Sequence, residues 1–117
     1  MAKILVVDDA SFMRIKIANT LKKHGHEIIQ AENGQVAVEK YKIDSPQIVF
    51  LDITMPVKNG IETLKEIIDY DKNAKIVMLS NEAQQEIIME AIQCGAKKFI
   101  AKPFDDEKII RCLNELL

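Results

Sequence analysis

The 117-residue chain has no tryptophan, and its two tyrosines and four phenylalanines make aromatics only 5% of the whole, so every aromatic position needs a reason. It has two cysteines, Cys94 and Cys112, without metal-ligand spacing; they read as buried thiols in a reducing cytosol. No apolar run approaches the ~20 residues of a membrane span. Met1-Ala2-Lys3 leads straight into Ile4-Leu5-Val6-Val7, which leaves no room for a secretory leader and its cleavage site. There is no basic run and no leucine-zipper heptad, and the net charge is -2, so nothing pulls the chain toward nucleic acid or an anionic membrane. A P-loop and a glycine-rich dinucleotide fingerprint are both missing. No repeat, linker or low-complexity segment divides the sequence. With 48% hydrophobic and 29% charged residues, the expectation is one cytoplasmic globular domain spanning residues 1–117, long enough to bury a core.

Apolar runs and helical patterns alternate five times. Ile4–Val7 reads as a first strand ending at Asp8-Asp9, and Ser11 as the N-cap of a helix to about Lys23 with Met13, Ile17 and Leu21 on one face. His24-Gly25-His26 ends it, and both histidines read as surface residues. Glu27–Glu32 is the most polar strand, which suits a sheet edge. Asn33-Gly34 opens a second helix through Val36, Ala37 and Tyr41, closed by Ser45-Pro46. Ile48–Asp52 is a strand apolar on both faces, hence central in a parallel sheet. Asn59-Gly60 marks a turn into a helix from about Gly60 to Tyr70. Ala74–Leu79 is the fourth strand, ending at Ser80. A helix over about Gln84–Cys94 buries Ile87, Ile88, Ala91 and Ile92, with Gly95 as its C-cap. Phe99–Ala101 is a short fifth strand ending at Lys102-Pro103. The last helix, from about Asp106 to Leu117, presents Ile109, Ile110, Leu113, Leu116 and Leu117. Five such units with short connections force parallel strands, right-handed crossovers and helices on both faces of the sheet.

The carboxyl ends of parallel strands are where open α/β sheets bind ligands. Here they carry Asp8 and Asp9 (first strand), Asp52 (third), Ser80 (fourth) and Lys102 (fifth); the second strand offers no comparable group. Each has an ordinary explanation. Asp52 could cap a turn, Asp8 and Asp9 could favour a helix N-terminus, Ser80 could be a turn residue and Lys102 could be solvated. Together they would be four coincidences at one edge. At ~4 Å and an effective dielectric of ~20, each carboxylate pair repels by about 4 kcal/mol, and one lysine cannot neutralise three acids. A divalent cation with hard oxygen ligands can, which describes Mg²⁺. A carboxylate is a competent nucleophile toward phosphorus, with a metal and an ammonium to stabilise the transferring group and a hydroxyl to bond one of its oxygens.

Val6-Val7-Asp8-Asp9, Leu51-Asp52-Ile53-Thr54-Met55-Pro56, Asn59-Gly60, Gly95-Ala96-Lys97-Lys98-Phe99 and Lys102-Pro103-Phe104 resemble, as a set, the receiver domains of response regulators. Ala10-Ser11-Phe12-Met13-Arg14 and Gln84-Gln85 are more similar to the small chemotaxis regulators than to the receivers of DNA-binding regulators. The resemblance implies a flavodoxin-like, doubly wound five-stranded sheet of order 2-1-3-4-5, an order carried over from the family rather than read from the residues. It implies that Asp52 accepts a phosphoryl group from the phosphohistidine of a sensor kinase. Asp8, Asp9, Asp52 and the Thr54 carbonyl would hold Mg²⁺, Lys102 would pair with the phosphoryl group, and Lys102-Pro103 would be cis. Ser80 and Phe99 would be the switch pair, altering the face of the fourth helix, fifth strand and fifth helix that partners read. Those partners would be the kinase, a flagellar motor switch protein or an output domain, and a phosphatase, with no direct contact to nucleic acid or membrane. The protein would be primarily a signalling switch, stand-alone or cut from a larger regulator or hybrid kinase, that catalyses its own phosphorylation and dephosphorylation.

Two other classes fit less well. Phosphatases with a strand-end aspartate nucleophile need a second acid two residues on, where Thr54 stands; a flavin-binding fold needs a phosphate cradle where Asp8-Asp9 would repel phosphate. One residue departs from the family pattern: the position after Ser80 is usually Ala or Gly and is Asn81 here. Thr54 and Glu82, two residues beyond Asp52 and Ser80, stand where the family tunes hydrolysis. A larger polar side chain at the pocket mouth is expected to slow labelling by small phosphodonors and lengthen the phosphoryl lifetime relative to Asn81→Ala. Equal rates in the two proteins would remove the idea.

Overall fold

In the computed structural model, which describes residues 1–117 apart from 54, 56–57 and 82–84 and the side chain of Asn81, five strands alternate with five helices. They are β1 (Lys3–Val7), α1 (Ser11–Lys23), β2 (Glu27–Ala31), α2 (Gly34–Asp44), β3 (Ile48–Asp52), α3 (Gly60–Tyr70), β4 (Ile76–Asn81), α4 (Gln85–Gln93), β5 (Lys98–Lys102) and α5 (Asp106–Leu116). All strand pairs are parallel, in the order β2-β1-β3-β4-β5. The polar second strand is at an edge, where its half-exposed residues cost least. The central strand β3 is buried at all five positions.

Strand alternation divides the core in two. Ile4, Val6, Ile48, Phe50, Val77, Leu79 and Ile100 pack with Ile17 and Leu21 of α1 and Ile109, Cys112 and Leu113 of α5. Leu5, Val7, Val49, Leu51, Ile76 and Met78 pack on the opposite face with α2, α3 and α4. A wholly apolar strand such as Ile48–Leu51 is therefore required: each of its faces feeds a different core.

Several local expectations shift. Ala10, not Ser11, is the N-cap of α1, and its side chain caps nothing; Asp8 Oδ1 instead accepts the Ala10 N–H at 2.9 Å. The fourth strand begins two residues later and runs past Ser80 to Asn81, because β5 pairs with it through Ser80–Ala101 and Asn81–Lys102. Ala74 belongs to a turn, its N–H bonded to the Asp71 carbonyl. Ile92 and Leu117 are exposed rather than buried, Ile87, Ile110 and Leu116 are partly buried, and Cys94 is half-buried. Cys112 is buried, which pushes its thiol up to about 11. His26 is half-buried, with Nδ1 accepting from Ala2 N; burial lowers its pKa. Gly95 has φ +116° and closes α4 as expected.

Asn59-Gly60 does more than turn the chain. Asn59 is the N-cap of α3 in a capping box with Glu62. The Gly60 N–H bonds to the Ile53 carbonyl at 2.8 Å, and a Cβ at Gly60 would lie 2.3 Å from the Asp52 carbonyl oxygen and 2.6 Å from Ile53 Cα. Glycine is needed here because backbone meets backbone directly beside Asp52. Gly60→Ala is expected to cost about 2 kcal/mol or more through overpacking, measured as a lower urea midpoint at unchanged slope. A variant as stable as the parent would show that this contact gives way freely.

Candidate functional site

The strand ends bring most of the expected side chains together. Asp8 follows β1, Asp52 closes β3 and Lys102 closes β5. Asp8 and Asp52 are buried and Asp9 is exposed. Each of the three carboxylates offers an oxygen within 4.8 Å of the others'. Lys102 Nζ lies 3.2 Å from Asp52 Oδ1 and 3.8 Å from Asp8 Oδ2. Its side chain is only 23% exposed, so the ammonium sits in the same poorly hydrated corner as the two buried acids. The Lys102-Pro103 bond is cis.

Asp8 is fixed at nearly every polar atom. Its N–H donates to the Ala31 carbonyl at 3.2 Å, its Oδ1 accepts from Ala10 N, and its carbonyl accepts from the Arg14 guanidinium at 2.7 Å. Oδ2 is buried and accepts no hydrogen bond. The ordinary explanation of Asp8, a local backbone cap, thus holds for one oxygen and leaves the other facing Lys102. A buried carboxylate oxygen without a donor is costly, and a hard cation lying among Asp8, Asp9 and Asp52 would satisfy it. The donor set is all oxygen, which fits Mg²⁺ and not a soft metal.

Ser80 is buried, and its Oγ makes no hydrogen bond. Alternation places Ser80 on the Met78 face of the sheet, opposite the face of Asp52 and Lys102. Ser80 pairs with Ala101 and Met78 with Phe99, so the Ser80 and Phe99 positions share a face at neighbouring pairs of the β4–β5 ladder. Phe99 is 46% exposed and lines an open cavity of about 590 Å³ with Gln85, Ile88, Met89 and Ala101. Thr54 and Glu82 lie outside the described residues, and so does the side chain of Asn81.

Sequence reasoning missed three supports. Gly60 was legible only as a turn residue. Arg14 reaches from the first turns of α1 to the Asp8 carbonyl, and Gln30 accepts the Arg14 Nε–H at 3.1 Å. The second strand therefore does serve the site, at one remove. A cation four residues past the N-cap Ala10 was the only available signal.

Residues 4–114 match the family described as the response regulator receiver domain. The chemotaxis protein CheY of Bacillus subtilis is 50% identical over 116 residues, covering 98% of this chain and 97% of that protein. The crystal structure of NtrX from Brucella abortus superposes with a TM-score of 0.95 at 34% identity, over 99% of this chain and 26% of NtrX. A chain in the CheX–CheY–BeF3–Mg²⁺ complex from Borrelia burgdorferi gives a TM-score of 0.92 at 36% identity, over 97% of this chain and 87% of its own length.

Among the described residues, no cation stands within ion-pair distance of Asp9. Without divalent ions, Asp9→Asn is expected to melt about 2 °C above the parent, because an exposed like charge is removed. Added Mg²⁺ should reverse that order by stabilising the parent through mass action. A parent melting temperature indifferent to Mg²⁺ would contradict the carboxylate site as a metal centre.

Proposed function

The chain belongs to the receiver domain family of two-component response regulators and is CheY-like, and on that premise we propose that residues 1–117 form one receiver domain working as a phosphorylation switch, with Asp52 as the acceptor. The observation that carries this reading is Lys102 Nζ set between Asp52 Oδ1 and Asp8 Oδ2 where three carboxylates converge. Asp8, Asp9, Asp52 and the Thr54 carbonyl are the residues we assign to Mg²⁺. When bound, the ion supplies positive charge that offsets the carboxylates and the incoming phosphoryl oxygens.

In the proposed reaction an Asp52 carboxylate oxygen attacks phosphorus in line. A new O–P bond forms as the P–N bond to the donor histidine breaks, and the electron pair leaves with the imidazole. Lys102 exchanges its hydrogen bond to Asp52 Oδ1 for one to a phosphoryl oxygen, so its charge is in place before the transition state develops. Ser80 Oγ is a candidate donor to a second phosphoryl oxygen; moving it toward Asp52 would open room for Phe99 on the same sheet face. The added charge is about -1.5 to -2, and a coupling of ~1–3 kcal/mol would shift a two-state equilibrium roughly 5- to 150-fold. Thr54, Asn81 and Glu82 are assigned to tuning phosphoryl lifetime.

A histidine kinase as donor, a flagellar switch protein as reader and a CheX-type phosphatase are the partners this reading names, and a stand-alone cytoplasmic regulator is its setting. No helix among the described residues is long and apolar enough to cross a membrane. The NtrX match over only 26% of that chain favours a second reading, a receiver within a longer regulator, and the length of the open reading frame decides between them.

Incubation with acetyl phosphate and Mg²⁺ followed by intact-mass measurement should show a phosphoryl adduct on the parent and none on Asp52→Asn; an adduct on the variant would move the acceptor elsewhere. Because the chain has no tryptophan, Phe99→Trp provides a single reporter of the switch. Its emission is expected to shift to the blue on phosphorylation and to stay unchanged when Asp52 is also Asn. An unshifted emission in the labelled protein would remove Phe99 from the switch.

A further inference from the structure

Taking Asp8, Asp9 and Asp52 as the Mg²⁺ ligands, we propose that Arg14, anchored by Gln30 of the edge strand, is the positioning residue of the metal site, holding the Asp8–Asp9 peptide so that both carboxylates face the ion. β1 ends at Val7. Asp8 still donates its N–H to the Ala31 carbonyl, but at Asp9 the chain bends away from the sheet. The carbonyl of the fully buried Asp8 needs a donor there, and Arg14 Nη1 supplies one at 2.7 Å. The same guanidinium is held at a second point, Nε to Gln30 Oε1 at 3.1 Å. Gln30's own carbonyl accepts from Lys40 Nζ at 2.5 Å, so the anchor is tied to α2 as well.

A peptide is a rigid plane. Fixing the Asp8 carbonyl therefore also fixes the Asp9 N–H and the position of the Asp9 Cα, which leaves the Asp9 side chain to be aimed by rotation about N–Cα and χ1 from a fixed origin. Asp9 has little else to hold it: it is exposed, and among the described residues its carboxylate makes no hydrogen bond or ion pair. A planar, two-point fork suits this task, and an ammonium on a flexible stem can reproduce it only in part. Charge and position predict opposite signs. A positive charge near the site opposes uptake of a divalent cation, so deleting Arg14 would tighten Mg²⁺ binding if charge were its contribution. Loss of position weakens binding instead.

Calorimetric titration of the whole chain with Mg²⁺ separates these outcomes. Arg14→Met should weaken binding about tenfold, the scale found when support behind metal ligands is lost. Arg14→Lys should recover part of that loss, and Gln30→Leu, which leaves every charge in place, should weaken binding by about threefold. Labelling of Arg14→Met by acetyl phosphate should return to the parental rate at saturating Mg²⁺, since the defect is in affinity; a general structural fault would slow it at every concentration. Unchanged or tighter Mg²⁺ binding in Arg14→Met and Gln30→Leu overturns the proposal, and if Arg14→Met fails to fold, Gln30→Leu alone decides. A parent that takes up no Mg²⁺ overturns the metal assignment together with this inference, whereas parental uptake with unaltered variants overturns only the role of Arg14.

Discussion

Three carboxylates with oxygens within 4.8 Å of one another occupy the end of a sheet whose central strand β3 is otherwise apolar, and one ammonium faces two of them. Left alone, such like charges would spread apart. Two of them, Asp52 and Asp8, are attached to backbone that is held in place. Asp52 closes a strand buried on both faces. Asp8 is tied through its N–H, its carbonyl and one carboxylate oxygen. The two cores anchor the strands that carry Asp8 and Asp52, and in the proposed function the crowded acids are what a cation and then a phosphoryl group would answer.

The sheet also separates two groups of side chains by parity. Residues that alternate with Phe50 and Ile100 bring Asp52 and Lys102 to one face of the edge, over α1 and α5. Those that alternate with Met78 bring Ser80 and Phe99 to the other, toward α4. Ser80 is buried with its hydroxyl unpartnered, while Phe99 is half-exposed beside an open cavity. A buried donor without an acceptor is poised to gain one, and an exposed aromatic is poised to gain burial. Both gains lie in the same direction, toward the proposed active arrangement.

Much of this was legible beforehand because its causes are local. The bounds of β3 and α3 follow from an unbroken apolar run and from an Asn-Gly start, and both are found where they were expected. The limits of β4 were not legible, since a ladder with β5 carries that strand through Ser80 to Asn81, and ladder length depends on a partner 21 residues away. The exposure of Ile92 depends likewise on how α4 lies against its neighbours. Gly60 and Arg14 were misjudged or passed over for a common reason: one matters through the closeness of another segment's backbone, the other through a carbonyl that the end of a strand leaves without a ladder partner.

The sequence by itself determined the alternation of strands and helices, the apolar centre of the sheet and the placing of acids, hydroxyl and lysine at strand ends, because periodicity and chain direction act over a few residues. Only the tertiary structure decided that Lys102 bridges Asp52 and Asp8, that β5 carries β4 through Ser80 to Asn81, and that a guanidinium held by an edge-strand glutamine binds the Asp8 carbonyl. Those relations join residues as many as 94 positions apart (Asp8 and Lys102), and only the packing of helices on a twisted sheet fixes such distances.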